Sequence, residues 1–208
     1  MTQRKIGHAG YEPALKLAWA QLKRSNLSDR VVDAGAKLTA DGAILLRCFG
    51  RDYSIVVDKE EIYDETGAEP HIGVKILMLH YLNAASGLPA KNRETGFAQI
   101  PGATAYLAPF NGRVVYPLTG LFDRFDVGMD DAFVRIGGVK KDFATQCYEV
   151  RAFPRVTLTV IYWRGDEEVS SGGQVVFDEG ITEYLPIEDI VITCEELVRH
   201  LREHLSQA

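Results

Sequence analysis

Three carboxylates stand side by side in the run Arg164-Gly165-Asp166-Glu167-Glu168. Adjacent carboxylates repel one another, so such a run needs a cation, an arginine or open water around it. One interpretation is a metal or cationic-ligand site, in which Asp166 or Glu168 would act as a ligand, an acid or a base. The favoured interpretation is a polar hairpin turn, because Gly-Asp is typical of turns. Trp163, directly before the run, adds a stacking surface.

His80 lies in a run of apolar residues, where a buried imidazole needs hydrogen-bond partners. A satisfied core histidine is the favoured interpretation, and a side chain facing a pocket is the alternative. We group it with the other polar residues that would surround such a pocket. The predicted ligand-binding set is Lys75, His80, Arg113, Trp163, Asp166 and Glu168.

The segment His200-Leu-Arg-Glu203-His204 matches the His-x-x-Glu-His pattern of inverted zinc peptidases. Its spacing places both histidines on one face of a helix, as metal ligation requires. Both lie off the apolar stripe of that helix, on the side that we expect to face water. We therefore predict a solvated face and no metal site.

Two further motifs for chemistry are weak. Residues 137–141, Gly-Gly-Val-Lys-Lys, lack the strand-loop-helix context of a phosphate loop and indicate a helix stop followed by a solvated basic turn. The cysteines Cys48, Cys147 and Cys194 are far apart, form no Cys-x-x-Cys pair, and are typical of small buried hydrophobic residues in a reducing compartment.

Composition excludes several classes of function. The net charge of -6 argues against nucleic acid as a partner, because phosphate binding needs a basic surface. The longest apolar segment, 72–82, is too short to span a bilayer, which takes about 20 residues. The first ten residues have no apolar stretch typical of a signal peptide. We expect a cytoplasmic protein with no nucleic-acid or membrane partner.

Hydrophobic periodicity predicts the elements that must position these residues. Strand runs are separate from helix runs, which favours an α+β fold. We expect one domain over residues 1–208, with a mostly antiparallel sheet of about five or six strands on a buried central helix and flanking helices. Its parts are a helical N-terminal region (10–35), a hairpin (43–57), a core helix (72–86), a helical middle (104–137), a strand meander (145–178) and a C-terminal helix (186–205).

Finer features follow from local signals. The second N-terminal helix would open at Ser28 or Asp29. Residues 58–71 are polar and predicted irregular, and a short strand is predicted near 97–100. The helical middle is predicted to consist of two short helices, separated at Asn111-Gly112 or at Pro117.

The ordered motifs along the chain resemble the family called domain of unknown function 3786. The resemblance rests on Lys75 to Leu82 followed by Ala85-Ser-Gly87-Leu-Pro89, Tyr106, Phe110, Arg113, Pro117-Leu118, Gly137-Gly138, Trp163 to Glu168, Phe177-Asp178 and Glu188-Asp189. It implies a single-domain protein of anaerobic bacteria or archaea, some of whose relatives lie near corrinoid and one-carbon chemistry. Some relatives carry an iron-sulfur segment, whereas this chain has no cysteine cluster to hold one. The chain departs from the family pattern at residues 96–100 and at Val169-Ser170.

Three functions are consistent with these features. The first is a binding or accessory protein that takes a small molecule between the core helix and the sheet. The second is an enzyme that uses Asp166 or Glu168 with His80 nearby. The third is a scaffold for protein contacts, which predicts an exposed apolar patch. The sequence identifies no cofactor, substrate or oligomeric state.

Overall fold

The computed structural model describes residues 10–125 and 127–206, whose contacts group into two compact units. The first contains the described chain up to Leu46 together with Asp52–Gly87, and the second contains Arg47–Arg51 and the described chain from Leu88 onward. Helices and antiparallel strands occur together, which confirms the α+β prediction. The described strands form two sheets, of four and five strands, where we predicted one sheet of five or six. A single domain stays a prediction.

Two helices open the first unit, α1 (Glu12–Arg24) and α2 (Leu27–Asp33). Pro13 lies in the first turn of α1, where the helix needs no backbone N–H from it. The N-cap of α2 is Asn26, two residues before the predicted Ser28, because its side chain accepts a hydrogen bond from the Ser28 backbone N–H at 3.1 Å. An asparagine at this position satisfies a donor that the helix itself leaves unpaired.

The four-stranded sheet has the order β1 (Lys37–Leu38), β2 (Ile44–Cys48), β3 (Arg51–Val56) and β4 (Glu61–Asp64). The β2–β3 pair lies in the predicted hairpin. Strand β4 lies in the stretch that we predicted to be irregular, and that prediction is wrong. Its fully buried Ile62 pairs with Ile55, and a single apolar residue gives no alternation for a sequence pattern to detect.

The predicted core helix is α3 (Ile72–Ala84). Its apolar side chains are buried around most of the helix circumference, which is typical of a central helix. The hydroxyl of Tyr81 donates a hydrogen bond to the carbonyl of Ala34 at 2.6 Å. Gly87 follows with a φ of +72°, and a Cβ there would collide with the Asp33 side chain. Only glycine fits this turn without displacing that neighbour.

The five-stranded sheet belongs to the second unit, with the order β5-β9-β8-β7-β6. Its strands are β5 (Glu94–Gly96), β6 (Gly138–Lys140), β7 (Gln146–Phe153), β8 (Val156–Trp163) and β9 (Gly172–Asp178). The three long strands confirm the predicted meander. The two short edge strands differ from prediction: β5 precedes residues 97–99, which form a 3₁₀ turn, and β6 replaces the predicted basic turn. Pairing with a long neighbour creates both edge strands, and such pairing is invisible in a three-residue pattern.

The helices of the second unit are α4 (Leu107–Phe110), α5 (Tyr116–Arg124), α6 (Met129–Arg135) and α7 (Ile187–Leu205). The predicted break between two helices does not occur, because a π-helical segment, Asn111–Val115, joins α4 to α5. Pro117 lies in the first turn of α5. Among the described residues, no helix combines the length and the hydropathy needed to cross a bilayer.

A stack of aromatic rings packs α5 and α6 onto the inner face of this sheet. Ring centroids are 4.7 Å apart in one stacked pair and 4.0 Å apart in another, and the pairs are Phe122 with Tyr162 and Phe133 with Tyr148. The hydroxyl of Tyr162 donates to Asp123 at 2.7 Å, and that of Tyr148 donates to Asp130. A buried tyrosine needs such a partner, so the helices supply carboxylates where the sheet presents hydroxyls.

The carboxylate of Asp178 fixes the segment that follows Gly87. It accepts hydrogen bonds from the backbone N–H groups of Lys91 at 3.0 Å, Asn92 at 2.7 Å and Gly180 at 2.7 Å. Burial raises the pKa of Asp178, but these N–H groups together lower it by more. The pKa of Asp178 therefore lies below its usual value. Asp178 therefore holds a loop that has no regular secondary structure of its own.

We expect Asp178→Asn to lower the free energy of unfolding by about 1–3 kcal/mol at pH 7, because an amide is a weaker acceptor for these N–H groups. A carboxylate with a lowered folded pKa stabilises the protein above its unfolded pKa, near 3.9, and loses that effect as pH falls through the folded value. The difference between the two proteins should therefore shrink at about pH 3. Denaturant unfolding at both pH values measures it.

The matched control is Asp142→Asn, which changes an exposed aspartate with no hydrogen bond or ion pair to another described residue. This variant should unfold like the parent at both pH values. An equal loss of stability in the two variants would contradict the role assigned to Asp178.

Candidate functional site

The predicted ligand-binding residues belong to both units. Lys75 and His80 lie on α3 of the first unit, where both are partly buried. The Lys75 amino group forms an ion pair with Glu69. The other four residues of the set belong to the second unit and are described next.

The acidic run lies between β8 and β9 and forms a closed turn. One carboxylate oxygen of Asp166 accepts hydrogen bonds from the N–H groups of Glu168 and Val169, each at 2.9 Å. The Asp166 N–H in turn donates to the Val169 carbonyl at 2.9 Å. These backbone donors lower the pKa of Asp166. The arrangement is that of a polar turn, which was the favoured interpretation, and a ligand at this run stays a prediction.

Two cations of the second unit, Arg113 and Lys140, are paired with carboxylates outside the acidic run. Arg113 forms an ion pair with Glu195 of α7 at 3.2 Å. Lys140 contacts both carboxylate oxygens of Asp130, at 2.9 and 3.0 Å. Trp163 ends β8 with 41% of its surface exposed.

The His-x-x-Glu-His segment differs from prediction at its first histidine. We predicted that both histidines face water, but His200 is only 7% exposed and its ring lies 5.2 Å from that of Phe49. The prediction was wrong because the sequence pattern of a helix does not reveal what packs on its polar side. His204 is partly buried. Across residues 10–125 and 127–206, no group of three His, Cys, Asp or Glu side chains is arranged to hold a metal ion.

A partly buried ion pair lies beside His200. Arg199 donates from Nε at 2.8 Å and from Nη2 at 2.6 Å to one oxygen of Glu196, which is 8% exposed. Its Nη1 donates to Glu203 at 2.6 Å. Burial raises the pKa of the neighbouring Cys48 thiol, and the charge of Glu196 raises it further. Cys48 is therefore a neutral thiol and a poor nucleophile.

The first unit has a polar cleft that the sequence analysis missed. Its volume is about 490 Å³, and it lies where the end of α1, the start of α2 and the end of α3 meet. The lining residues are Gln21, Ser25, Asn26, Asp29, Arg30 and Asn83. The sequence signal was the cluster of polar residues over 25–30, which sequence reasoning assigns to a helix end and the next N-cap.

Arg30 and Asn83, two of the six lining residues, are held in place by internal hydrogen bonds. Arg30 donates to the carbonyls of Asn83 at 3.3 Å and Ala85 at 2.9 Å, and its charge is paired with Asp33 at 2.6 Å. These carbonyls end α3, so the guanidinium satisfies groups that the helix leaves unpaired. The Asn83 side chain donates to the Ala18 carbonyl at 3.0 Å.

Two lining side chains, those of Gln21 and Asp29, lack partners within the described chain. Both residues are exposed, and neither side chain makes a hydrogen bond or ion pair with another described residue. An amide and a carboxylate that face one cleft are able to accept hydrogen bonds from a ligand, and the amide also donates. The arrangement is suited to a small polar molecule.

We expect Asp166→Ala to lower the melting temperature, because two backbone N–H groups of the turn lose their acceptor. Glu168→Ala is the control, since no carboxylate hydrogen bond to another described residue is lost there. Thermal unfolding at pH 7 measures both. A larger loss of stability in the Glu168 variant would contradict the turn and favour a role for Glu168 as a charged ligand.

The comparisons with known proteins give a family and no function. The profile of one family, described as a domain of unknown function (DUF3786), matches residues 26–200. No curated protein and no solved structure matches the chain. The matched segment includes the acidic turn, Asp178 and most of α7. Because the match covers most of the sequence, the chain belongs to the DUF3786 family.

Proposed function

We propose that this protein binds a small polar molecule in the cleft of its first unit. The observation that carries the proposal is the cleft itself, in which Gln21 and Asp29 lack partners among the described residues while Arg30 and Asn83 are fixed. The volume of about 490 Å³ lies within the roughly 300–1,000 Å³ of small-molecule sites. A depression beside Asp178 holds only about 10 Å³, which is roughly room for one water.

The lining indicates the character of the ligand. Ligand pockets are usually lined by apolar side chains, whereas this lining consists of amides, a hydroxyl, a carboxylate and a guanidinium. The charge of Arg30 is paired with Asp33, so the unpaired charge of the lining is that of Asp29. We therefore expect a hydrophilic, neutral or cationic ligand.

The proposed setting is a bacterial cytoplasm, where the protein would act as a binding or accessory protein. Its family resemblance extends this proposal to corrinoid or one-carbon metabolism. The enzymatic alternative, with Asp166 and Glu168 as acid, base or metal ligand, has less support, because the Asp166 carboxylate already binds two N–H groups of its own turn.

A scaffold for protein contacts is the second candidate. The observation that favours it is a set of exposed apolar side chains in the second unit, with exposed fractions of 58% for Val139, 60% for Phe143 and 41% for Trp163. Exposed apolar surface of this kind is typical of interaction sites when it is contiguous.

The test is a thermal-shift screen of the full chain with polar metabolites, including amino acids, polyamines, polyols, cobalamin and tetrahydrofolate. A ligand at a hundred times its Kd should stabilise the protein by about 2.7 kcal/mol. Calorimetric titration then gives the affinity of each hit. Cobalamin and tetrahydrofolate test the link to corrinoid and one-carbon chemistry separately from binding itself.

The variant Gln21→Ala/Asp29→Asn should weaken binding at least tenfold, because two or more hydrogen bonds are lost, each worth about 0.5–1.5 kcal/mol or more when charged. The control is Glu12→Gln, an exposed carboxylate on α1 that lies about 13 Å along the helix from Gln21. Unchanged affinity in the double variant, or a screen without any hit, would overturn the proposal.

A further inference from the structure

The tip of the β2–β3 hairpin, Arg47–Arg51, packs within the second unit. Phe49 is 2% exposed, its N–H donates to the Ala152 carbonyl at 3.1 Å, and its ring lies against that of His200. The tip backbone also packs closely, since a Cβ on Gly50 would lie 2.9 Å from the carbonyl carbon of Ile136. The tip is therefore docked by contacts on both sides of its turn.

The turn itself disfavours this conformation. Phe49 has a φ of +45° and Gly50 a φ of +79°. A two-residue turn with both φ values positive is typical of Asn-Gly, and a non-glycine side chain in the left-handed region costs about 1–2 kcal/mol. Burial of the Phe49 ring offsets that cost, so the turn conformation depends on the docked state.

The docked state also favours a neutral histidine. The Nε2 atom of His200 lies 3.3 Å from Nη2 of Arg199, which can only donate a hydrogen bond, so Nε2 accepts it. A protonated imidazole would place a second donor against that guanidinium. The charge of Arg51, on the hairpin, also disfavours a protonated His200.

Carboxylates on α7 oppose this effect but are engaged elsewhere. One carboxylate oxygen of Glu196 accepts hydrogen bonds from two N–H groups of Arg199. Glu203 lies 3.9 Å from Nδ1 of His200, yet it is half exposed and is bound to Arg199. Cys48, a further titratable group of the hairpin, is neutral.

We propose that the hairpin tip is a latch that stays docked on α7 only while His200 is neutral, and that acid releases it. The charged groups that act on His200 are two cations, Arg199 and Arg51, and two carboxylates, Glu196 and Glu203. On release, His200 becomes exposed to water and Phe49 is free to leave the left-handed region. The latch is independent of any ligand in the cleft.

The sign of the pH dependence follows from burial. Burial, followed by the charge of Arg199, lowers the pKa of His200 to about 4, and the charges of Glu196 and Glu203 raise it only in part. Its ordinary pKa is about 6.5. Docking is therefore favoured fully above about pH 6.5 and weakens as pH falls toward 4. Between pH 7 and pH 5 the ratio of released to docked tips should rise about twentyfold.

The buried thiols Cys48, on the hairpin, and Cys194, on α7, make this measurable in the full chain. A disulfide reagent active in acid, 4,4′-dithiodipyridine, labels exposed thiols, and peptide mass spectrometry assigns the sites. The protection factor is the labelling rate of the urea-unfolded chain divided by the labelling rate of the folded protein at the same pH. Because both rates depend on thiol ionisation in the same way, that dependence cancels. We expect the protection factor of Cys48 to fall about twentyfold from pH 7 to pH 5 while Cys194 stays at least tenfold better protected.

His200→Gln removes the titration and should make the protection factor of Cys48 independent of pH. His204→Gln, one turn further along α7 and only partly buried, is the matched control and should keep most of the dependence. Equal protection of the two thiols would show that opening is global, and the same fall in His200→Gln would show that another group titrates. Either result overturns the latch.

A measurement on the unaltered protein covers the case in which His200→Gln fails to fold. The His200 ring is titrated by NMR from its Cε1–H signal. Titration well below pH 6 supports the latch, and titration at the ordinary value near 6.5 overturns it.

Discussion

Burial of the inner face of β7, β8 and β9 is the interaction on which the second unit depends. Strand β8 alternates buried and partly exposed positions from Val156 to Val160, so one face must be covered by helices. Because that face includes Tyr148 and Tyr162, the covering helices must bring acceptors to their hydroxyls. The positions of α5 and α6 are thus constrained by two polar contacts as well as by apolar packing.

Many charged residues of this protein serve the backbone rather than a ligand. Arg30 binds carbonyls at the end of α3, Asp178 binds three N–H groups around its loop, and Asp166 closes its own turn. Within the described residues, no buried side-chain nitrogen or oxygen lacks a hydrogen-bond partner. Such satisfaction is expected of a stable fold. The polar groups that lack a partner are therefore exposed ones. Two of them line the cleft, which is why the cleft is the preferred site.

The family pattern also has a structural explanation. Gly87 takes a left-handed turn against Asp33, and Asp178 holds the chain near Lys91. Both residues belong to the motifs that carry the resemblance to DUF3786. Motifs of this kind report a shared fold, because the turn and the loop need those residue types whatever the protein binds.

The sequence by itself determined the α+β class, the core helix α3, the three long strands and the terminal helix α7, because each has a periodic apolar pattern over many residues. Tertiary structure alone decided the short strands β4, β5 and β6, whose few residues pair with a longer neighbour. It also decided the burial of His200, which depends on a hairpin tip about 150 residues away in sequence. The cleft is likewise a feature that only tertiary structure decided, because packing alone brings Asn83 to α1 and α2. No local sequence pattern shows which distant side chains share a surface.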